Sequence, residues 1–370
     1  GPNWSNSWAR GAANQGGNPG RDCCVDFSSN DSHAAVALMI FDELPVSAAE
    51  GCILAHSIDL LGRRLRKGVT LNKDHIDELT RAGITHISAA RLQERDIAED
   101  AAAVALAKAL VPYPEQAGLR LSAAFTGRVN LIATGAGVVS QNVKKLIALN
   151  SIDSMISLAT LPQYQQVSTG SLVGTVKIIS YGVPGDKLQA ACKLAQAAIK
   201  VLPPVMRSAS LIVSVSKGGP GEKGVETIRQ RLAALNITLV EVVTTPHQTQ
   251  EMAHALKDAS GDLILMLTSS ATSDLNDTAP KAVRAAGGNI ERFGMPVDPG
   301  NLLFLGALTG KPVIGFPGCV RSPALNGADW VLSRIACGVT LDDHSFAEMA
   351  IGGLLKEIPT RPQPRRRSEG

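Results

Sequence analysis

The sequence predicts an α/β protein whose C-terminal part is a doubly wound, mostly parallel sheet, preceded by smaller α+β modules. Residues 205–357 alternate apolar strand patterns with helical patterns, and this order implies parallel strands with helices on both faces. The chain is 45% hydrophobic but only 4% aromatic, a composition typical of helices packed on parallel strands. Its 370 residues are enough for two or three domains with cores of their own.

Changes in composition divide the chain into five segments. Residues 1–38 are rich in Asn, Ser and Gly without periodicity, so we expect a disordered leader that is not native. Residues 39–115 are predicted to form a small α+β module, and residues 116–203 a second α/β module with a connecting helix. Residues 204–358 form the predicted α/β domain, and residues 359–370 a basic Pro- and Arg-rich tail or linker.

Short apolar runs and helical patterns alternate between residues 39 and 203. Pro112 and Pro114 mark the boundary between the two modules. The patterns predict strands at 52–60, 84–89, 130–136, 153–160 and 173–180, and helices at 73–82, 99–110, 141–149 and 187–201. Gly83 is expected to end the first of these helices, and Pro203 the last.

The alternation is clearest in the C-terminal domain. It predicts strands at 210–216, 237–243, 263–267, 302–304 and 313–314, and helices at 224–235, 249–259, 278–286 and 324–336. Open parallel sheets bind ligands outside the carboxyl ends of their strands. We therefore expect the ligand site in the turns that follow these strands.

Charge and cysteine content exclude several classes of protein. The formal net charge is +3, and removing the last ten residues, which hold four Arg and one Glu, leaves 32 basic and 32 acidic residues. A broad nucleic-acid-binding face is therefore not expected. The six cysteines form no C-x-x-C pair or zinc-ligand cluster, so we expect reduced, buried thiols and no metal site built from protein ligands. No apolar run reaches the length of a membrane span, which predicts a cytoplasmic protein without membrane contact.

The turn Thr268–Asp277 is the most informative stretch of the sequence. It follows the apolar run 262–267 and contains hydroxyls, small residues and two carboxylates, Asp274 and Asp277. Pro299-Gly300 and the segment 315–318 supply further tight turns after short apolar runs. These turns are expected to converge on one pocket.

The first turn of the domain, residues 216–224, satisfies the dinucleotide-binding pattern G-x-G-x-x-G with Gly219, Gly221 and Gly224. Glu241 is expected at the end of the next strand, where an acid would bind ribose. Turn amides and a helix N-terminus attract anions. Lys217, Lys223 and the turn amides could therefore bind an anion, and the predicted cofactor contacts in this turn are Ser216, Lys217, Gly218 and Gly219. A dinucleotide-binding oxidoreductase is thus one alternative, and a Gly-rich turn without a ligand is another.

The order of these motifs resembles the molybdopterin-binding domain of the gephyrin-type molybdenum insertases. That family has a T-S-G-G turn ending in an acid, then K-P-G, then L-P-G-N-P-V-S-A; the matching segments here are 268–277, 299–300 and 317–322. The upstream modules are similar to those of bacterial molybdopterin-binding proteins that can be fused to a nucleotidyltransferase. The resemblance implies cofactor contacts from Thr268, Ser269, Ser270, Asp277, Pro299, Gly300, Pro317, Gly318, Arg321 and Ser322.

The chain departs from this family at several positions. Ser270 and Ala271 replace the glycine pair, and Asp298 stands where Lys is usual. The segment Cys319-Val-Arg321 replaces Asn-Pro-Val. The acidic S-A-M-D-G-Y segment of the insertases has no counterpart. These changes leave binding better supported than catalysis.

The resemblance implies a protein that binds molybdopterin or its nucleotide form in molybdenum cofactor biosynthesis. An insertase-type transferase is the next alternative, with Asp274 and Asp277 positioning Mg²⁺ or water for the insertion of molybdate. The same two carboxylates could instead cap the helix that follows them. A fused or separate nucleotidyltransferase is the implied partner, and a homo-oligomer stays open. His247 and His254 are expected to be surface residues.

Overall fold

The computed structural model describes residues 39–60 and 62–355. The expected leader, the basic tail, and Cys23 and Cys24 lie outside the described residues. Among the helices in these two ranges, none is both long and apolar enough to cross a membrane.

The first module is a small antiparallel unit around a central strand. Its elements are β1 (Ile40–Pro45), β2 (Ile53–Leu54), β3 (Ile58–Leu60), β4 (Arg63–Leu65), α1 (Lys73–Arg81) and β5 (His86–Arg91). Strand β5 lies between β1 and β2. Asn72 caps α1 by accepting from the backbone N–H of His75, and Leu79 packs with Ile87 in the core. The predicted run 52–60 is two short strands separated by a bend.

The second module contains three antiparallel sheets and three helices. Its elements are β6 (Asp96–Ala98), α2 (Glu99–Leu110), β7 (Leu119–Leu121), β8 (Arg128–Ala133), β9 (Gly137–Gln141), α3 (Val143–Asn150), β10 (Ile156–Thr160), β11 (Gln166–Val167), β12 (Leu172–Ile178), β13 (Gly182–Pro184), α4 (Gly185–Ala195) and β14 (Ile199–Leu202). Helix α2 shares this core, although the sequence assigned it to the first module. The predicted helix 187–201 was wrong in its second half, because β14 pairs there with β9.

The C-terminal domain is built on a six-stranded sheet. Its elements are β15 (Ser208–Val215), α5 (Val225–Ala233), β16 (Thr238–Pro246), α6 (Thr249–Asp258), β17 (Leu263–Leu267), α7 (Thr278–Ala285), β18 (Asn289–Phe293), β19 (Phe304–Leu308), β20 (Lys311–Phe316), α8 (Gly327–Ala336) and α9 (Asp343–Glu348). The strand order is β16-β15-β17-β20-β19-β18. The first four strands are parallel, and β19 and β18 extend the sheet in antiparallel fashion.

Helices cover both faces of this sheet, which confirms the predicted α/β class. The core on one face includes residues of α5 and α8, and the core on the other includes residues of α6 and α7. Strand β17 is buried along its whole length, so its side chains alternate between the two cores. Burying each of these large apolar side chains contributes roughly 1.5–3 kcal/mol, so β17 stabilises the packing on both faces of the sheet.

Candidate functional site

The parallel strands end together at one side of the sheet, which we call the carboxyl edge. It comprises the ends of β15, β16, β17 and β20 and the turns 216–224, 247–248, 268–277 and 317–326 that follow them. Because β15, β17 and β20 are neighbours, three of these turns are brought side by side. The edge therefore has the position at which open α/β sheets bind ligands.

Arg321 joins the turn after β20 to the turn after β17. Its Nη2 donates to the carbonyl of Thr268 at 2.7 Å. Burial lowers the pKa of the Arg321 guanidinium, and its Nε is buried with no hydrogen-bond partner among the described residues. A half-buried cation with an unused donor is favourable only where something else supplies an acceptor.

The glycine-rich turn after β15 packs closely on both other turns. A Cβ on Gly219 would lie 3.3 Å from Cβ of Ser269, and one on Gly224 only 2.6 Å from Cγ of Arg321. Gly224 also has φ +102° immediately before α5, a conformation that favours glycine. The predicted anion contacts Ser216, Lys217 and Gly218 lie in this same turn, and all three are exposed.

His247, which was expected to be a surface residue, is only partly exposed at the carboxyl edge. It is half-buried, and its Nδ1 lies 2.8 Å from Oγ of Ser214, a side chain that is fully buried. Its Nε2 lies 3.3 Å from Oγ of Ser270. The backbone N–H of Ser269 donates to the same Ser214 hydroxyl at 3.1 Å. His247 therefore connects the ends of three strands, whereas His254 is exposed as expected.

Asp277 lies at the start of α7, where it accepts two backbone hydrogen bonds. Its Oδ1 accepts from the N–H of Thr278 at 2.7 Å and its Oδ2 from the N–H of Ser273 at 3.0 Å. Burial, the largest single effect, would raise the pKa of Asp277, but these two bonds, the nearby His247 and the Thr278 side chain together hold the pKa below the ordinary value. Asp274 is exposed and accepts from the N–H of Asn276 at 2.7 Å. Both carboxylates thus stabilise the turn and the helix that follows.

The remaining predicted contacts lie around the start of α8. Gly318 lies beside the Arg321 side chain, because a Cβ on Gly318 would lie 3.5 Å from Nη1 of Arg321. The carbonyl of Pro299 accepts from the N–H of Gly327 at 2.8 Å, and a Cβ on Gly300 would lie 2.9 Å from Cα of Gly327. Pro317 accepts from the N–H of Val320 at 3.0 Å. Pro299-Gly300 therefore abuts α8 directly.

Arg231 fixes the segment that carries Arg321, and sequence patterns did not indicate this role. From α5, its Nε pairs with Asp329 at 2.5 Å, and its Nη atoms donate to the carbonyls of Val320, Ser322 and Ala324 at 2.9 to 3.1 Å. The pair is largely buried, with side-chain exposures of 10% and 15%. Only the structure brings these residues together, since about 90 residues separate Arg231 from its partners.

Glu241 does not lie where a ribose-binding acid is needed. It is the fourth residue of β16, and its Oε1 accepts from Ser260, which precedes β17, at 2.7 Å from the N–H. This position is near the amino-terminal ends of the strands, away from the turn 216–224. The prediction was wrong because β16 continues to Pro246 instead of ending near residue 243.

Beside the carboxylates of Asp274 and Asp277, the carboxyl edge holds buried polar atoms without hydrogen-bond partners among the described residues. Besides Nε of Arg321, Oγ of Ser269 is buried and has no hydrogen-bond partner within the described chain. No group of three or more His, Cys, Asp and Glu side chains in that part of the chain could hold a metal ion. The unpartnered donors fit an anionic group such as a phosphate.

A cleft lies behind the segment 320–325. It has a volume of about 540 Å³ and is lined mainly by neutral polar residues of the segment 165–171 and of α5, together with Pro323 and Leu325. Arg231 and Asp329 also line it, but they neutralise each other. This cleft therefore offers no net charge to a ligand.

Comparison with known proteins finds similarity to one family of sequences and to solved structures. Residues 43–91 match the model of a family described as a domain of unknown function (DUF8806), which coincides with the first module. The crystal structure of the molybdopterin biosynthesis moea protein from Pyrococcus horikosii is similar with 12% identity and a TM-score of 0.29, over 80% of this chain and 75% of that chain. No curated protein matches the chain. The chemistry of the carboxyl edge must be inferred from its own residues.

Proposed function

We propose that this protein binds molybdopterin, or its nucleotide form, at the carboxyl edge and serves molybdenum cofactor biosynthesis. The proposal combines the motif order of the sequence with one structural observation. Arg321 bonds the turn after β17 and packs against the turn after β15, so the three motif-bearing turns form one continuous surface. A phosphorylated pterin needs such a surface, with donors for its phosphate and for its ring oxygens and nitrogens.

The role of a binder or carrier is better supported than that of an insertase. The two oxygens of Asp277 already accept backbone hydrogen bonds, and this use leaves fewer lone pairs for Mg²⁺. Asp274 is the freer of the two carboxylates. The position of Glu241 removes one support for a dinucleotide site.

A direct binding measurement tests the proposal. Purified protein is titrated with a fluorescent phosphorylated pterin, and its thermal unfolding is followed with and without that ligand and with NAD. We expect saturable pterin binding and a raised melting temperature, because a ligand that binds only the folded state stabilises it. Stabilisation by NAD alone would contradict the proposal, as would the absence of any effect from the pterin.

Replacing Arg321 tests the placement of the ligand. Arg321→Ala should weaken pterin binding roughly tenfold or more, since a hydrogen bond to a charged group is worth roughly 1.5–3 kcal/mol. Arg229→Ala is the matched control, because Arg229 is 48% exposed on α5 and pairs with the exposed Glu226 at 3.4 Å. Equal affinity in the two variants would place the ligand elsewhere.

A further inference from the structure

His247 is held by an unusually complete set of contacts for a residue in a turn. Its backbone N–H donates to the carbonyl of Val215 at 2.9 Å, which continues the ladder between β15 and β16 by one residue. The ring then lies between Ser214 on one side and Ser270 on the other. Each ring nitrogen therefore lies near a serine hydroxyl. The hydrogen-bonding needs of these hydroxyls determine which nitrogen of the neutral ring carries the proton.

The Ser214 hydroxyl carries one proton, which needs a hydrogen-bond acceptor. Its oxygen already accepts from the N–H of Ser269 at 3.1 Å. Because Ser214 is fully buried, leaving the hydroxyl proton without an acceptor would cost free energy. Thr245 is its register neighbour on β16, but Oγ of Thr245 has no hydrogen-bond partner in the described residues. Nδ1 of His247, at 2.8 Å, is the remaining acceptor.

The hydrogen bonds of Ser214 determine the tautomer of the neutral His247 imidazole. If Nδ1 accepts from Ser214, then Nε2 carries the proton and points towards Ser270 and the open side of the turn. In the opposite tautomer, Nδ1–H would donate to the Ser214 oxygen, which also accepts from the N–H of Ser269, and the buried hydroxyl proton would have no acceptor among the described residues. His247 is then a donor at the carboxyl edge and not a base that activates Ser270.

We propose that His247 is a specificity-determining residue that donates from Nε2–H to a phosphoryl oxygen of the ligand. Arg321 and Ser269 also have unused donors at this edge, and the nearby carboxylate of Asp277, whose pKa His247 helps to lower, already accepts backbone hydrogen bonds at both oxygens. Ser270 is exposed, and its Oγ lies at a long 3.3 Å from Nε2, so a ligand oxygen can replace it. The choice of ligand rests on the proposed function, whereas the tautomer does not.

Nitrogen-15 NMR of histidine-labelled protein tests the tautomer without any ligand. Spectra are recorded at about pH 8.5, well above the ordinary histidine pKa of about 6.5. His247→Gln identifies the His247 signals among the 7 histidines. We expect an almost exclusive Nε2–H pattern in the parent protein and a larger fraction of the Nδ1–H form in Ser214→Ala, where the donor to Nδ1 is missing. A dominant Nδ1–H pattern in the parent protein would overturn the proposal.

Binding of two probes tests specificity. The measured quantity is the ratio of two affinities, that of a phosphorylated pterin and that of the same pterin without phosphate. A general loss of structure weakens the binding of both pterins and therefore cancels in this ratio. His247→Asn, whose amide can replace only Nδ1, should lower this ratio about tenfold, the size expected for one lost hydrogen bond. His247→Gln, whose amide nitrogen can reach the Nε2 position, should stay within about threefold of the parent ratio.

The two experiments fail separately. An unchanged ratio in His247→Asn would overturn the specificity role, even if the NMR pattern were as expected. If the parent protein bound neither pterin, the function proposed above would fail, and the phosphoryl specificity with it, whereas the Nε2–H assignment would still be decided by NMR.

Discussion

Glu241 connects strand β16, strand β15 and the residues before β17 by hydrogen bonds at the amino-terminal side of the large sheet. It accepts from the hydroxyl of Ser210 on β15, and from the N–H and hydroxyl of Ser260 at 2.7 and 2.9 Å. The Ser210 hydroxyl first, and the Ser260 N–H next, hold the pKa of Glu241 below its ordinary value of 4.5, and they outweigh the opposing effect of burial. The ionised side chain is therefore the form that stabilises the fold.

This arrangement predicts a pH-dependent loss of stability. A carboxylate with a lowered folded-state pKa contributes fully above its unfolded pKa, and the contribution disappears as the pH falls through the folded value. Glu241→Gln should therefore cost about 1–2 kcal/mol at pH 7. Urea unfolding at several pH values should show the difference shrinking below pH 4.5, the ordinary pKa of the side chain. Glu226→Gln, on an exposed pair, is the control; a pH-independent difference for Glu241→Gln would contradict the assignment.

At the residue scale, sequence patterns located the turns but not all of the side chains that meet at the carboxyl edge. Thr268 and Gly219 were predictable as turn residues because each follows a recognisable buried strand, whereas Arg321 was indicated only by the family resemblance. His247 was not predictable, because β16 runs three residues past its predicted end and carries the histidine to the same edge. Its partners on β15 and after β17 are set by strand register, which a single sequence does not specify.

At the element scale, some uninterrupted elements were predicted to the residue, whereas transitions between element types were not. Helix α2 and strand β17 have the predicted bounds. The predicted helix 187–201 failed because Ala197 has φ +50°, which ends the helical path and lets Ile199 and Val201 alternate in a strand. Strand β18 was missed, because its exposed and half-buried residues give little apolar signal.

Gly315 shows how tightly β20 and β19 are packed. It pairs with Phe304 in register, and a Cβ on Gly315 would overlap the phenylalanine ring. Gly315→Ala should therefore lose about 1–3 kcal/mol of unfolding free energy, the usual cost of overpacking a core. Chemical denaturation measures the loss.

Two further variants make the cause of this loss specific. Gly135→Ala is the control, because a Cβ there would meet nothing within 4 Å. Phe304→Leu, which removes the ring, should reduce the additional cost of Gly315→Ala when the two changes are combined. Equal losses in Gly135→Ala and Gly315→Ala would show that packing against Phe304 is not responsible.

At the scale of the whole molecule, the second module and the C-terminal domain meet at Arg334. Its guanidinium carbon lies 5.3 Å from the ring centre of Tyr164, in the second module, and 5.9 Å from that of Trp330, in α8. Burial lowers the pKa of Arg334. The sequence could not predict this contact, because periodicity identifies the apolar face of an element but not which polar side chain joins two modules.

A double-mutant cycle should reveal this junction as a coupling energy. Unfolding free energies are measured for the parent protein, Tyr164→Leu, Arg334→Met and the double variant. We expect a coupling of about 1–2 kcal/mol, because a largely desolvated cation over a ring is worth that much. Arg292 and Phe346, 5.4 Å apart within the C-terminal domain, form the control cycle. Their coupling should be smaller, since Arg292 is 33% exposed and also pairs with Asp343. A Tyr164–Arg334 coupling below about 0.3 kcal/mol would mean that the two sites act independently, and that other contacts hold the two parts together.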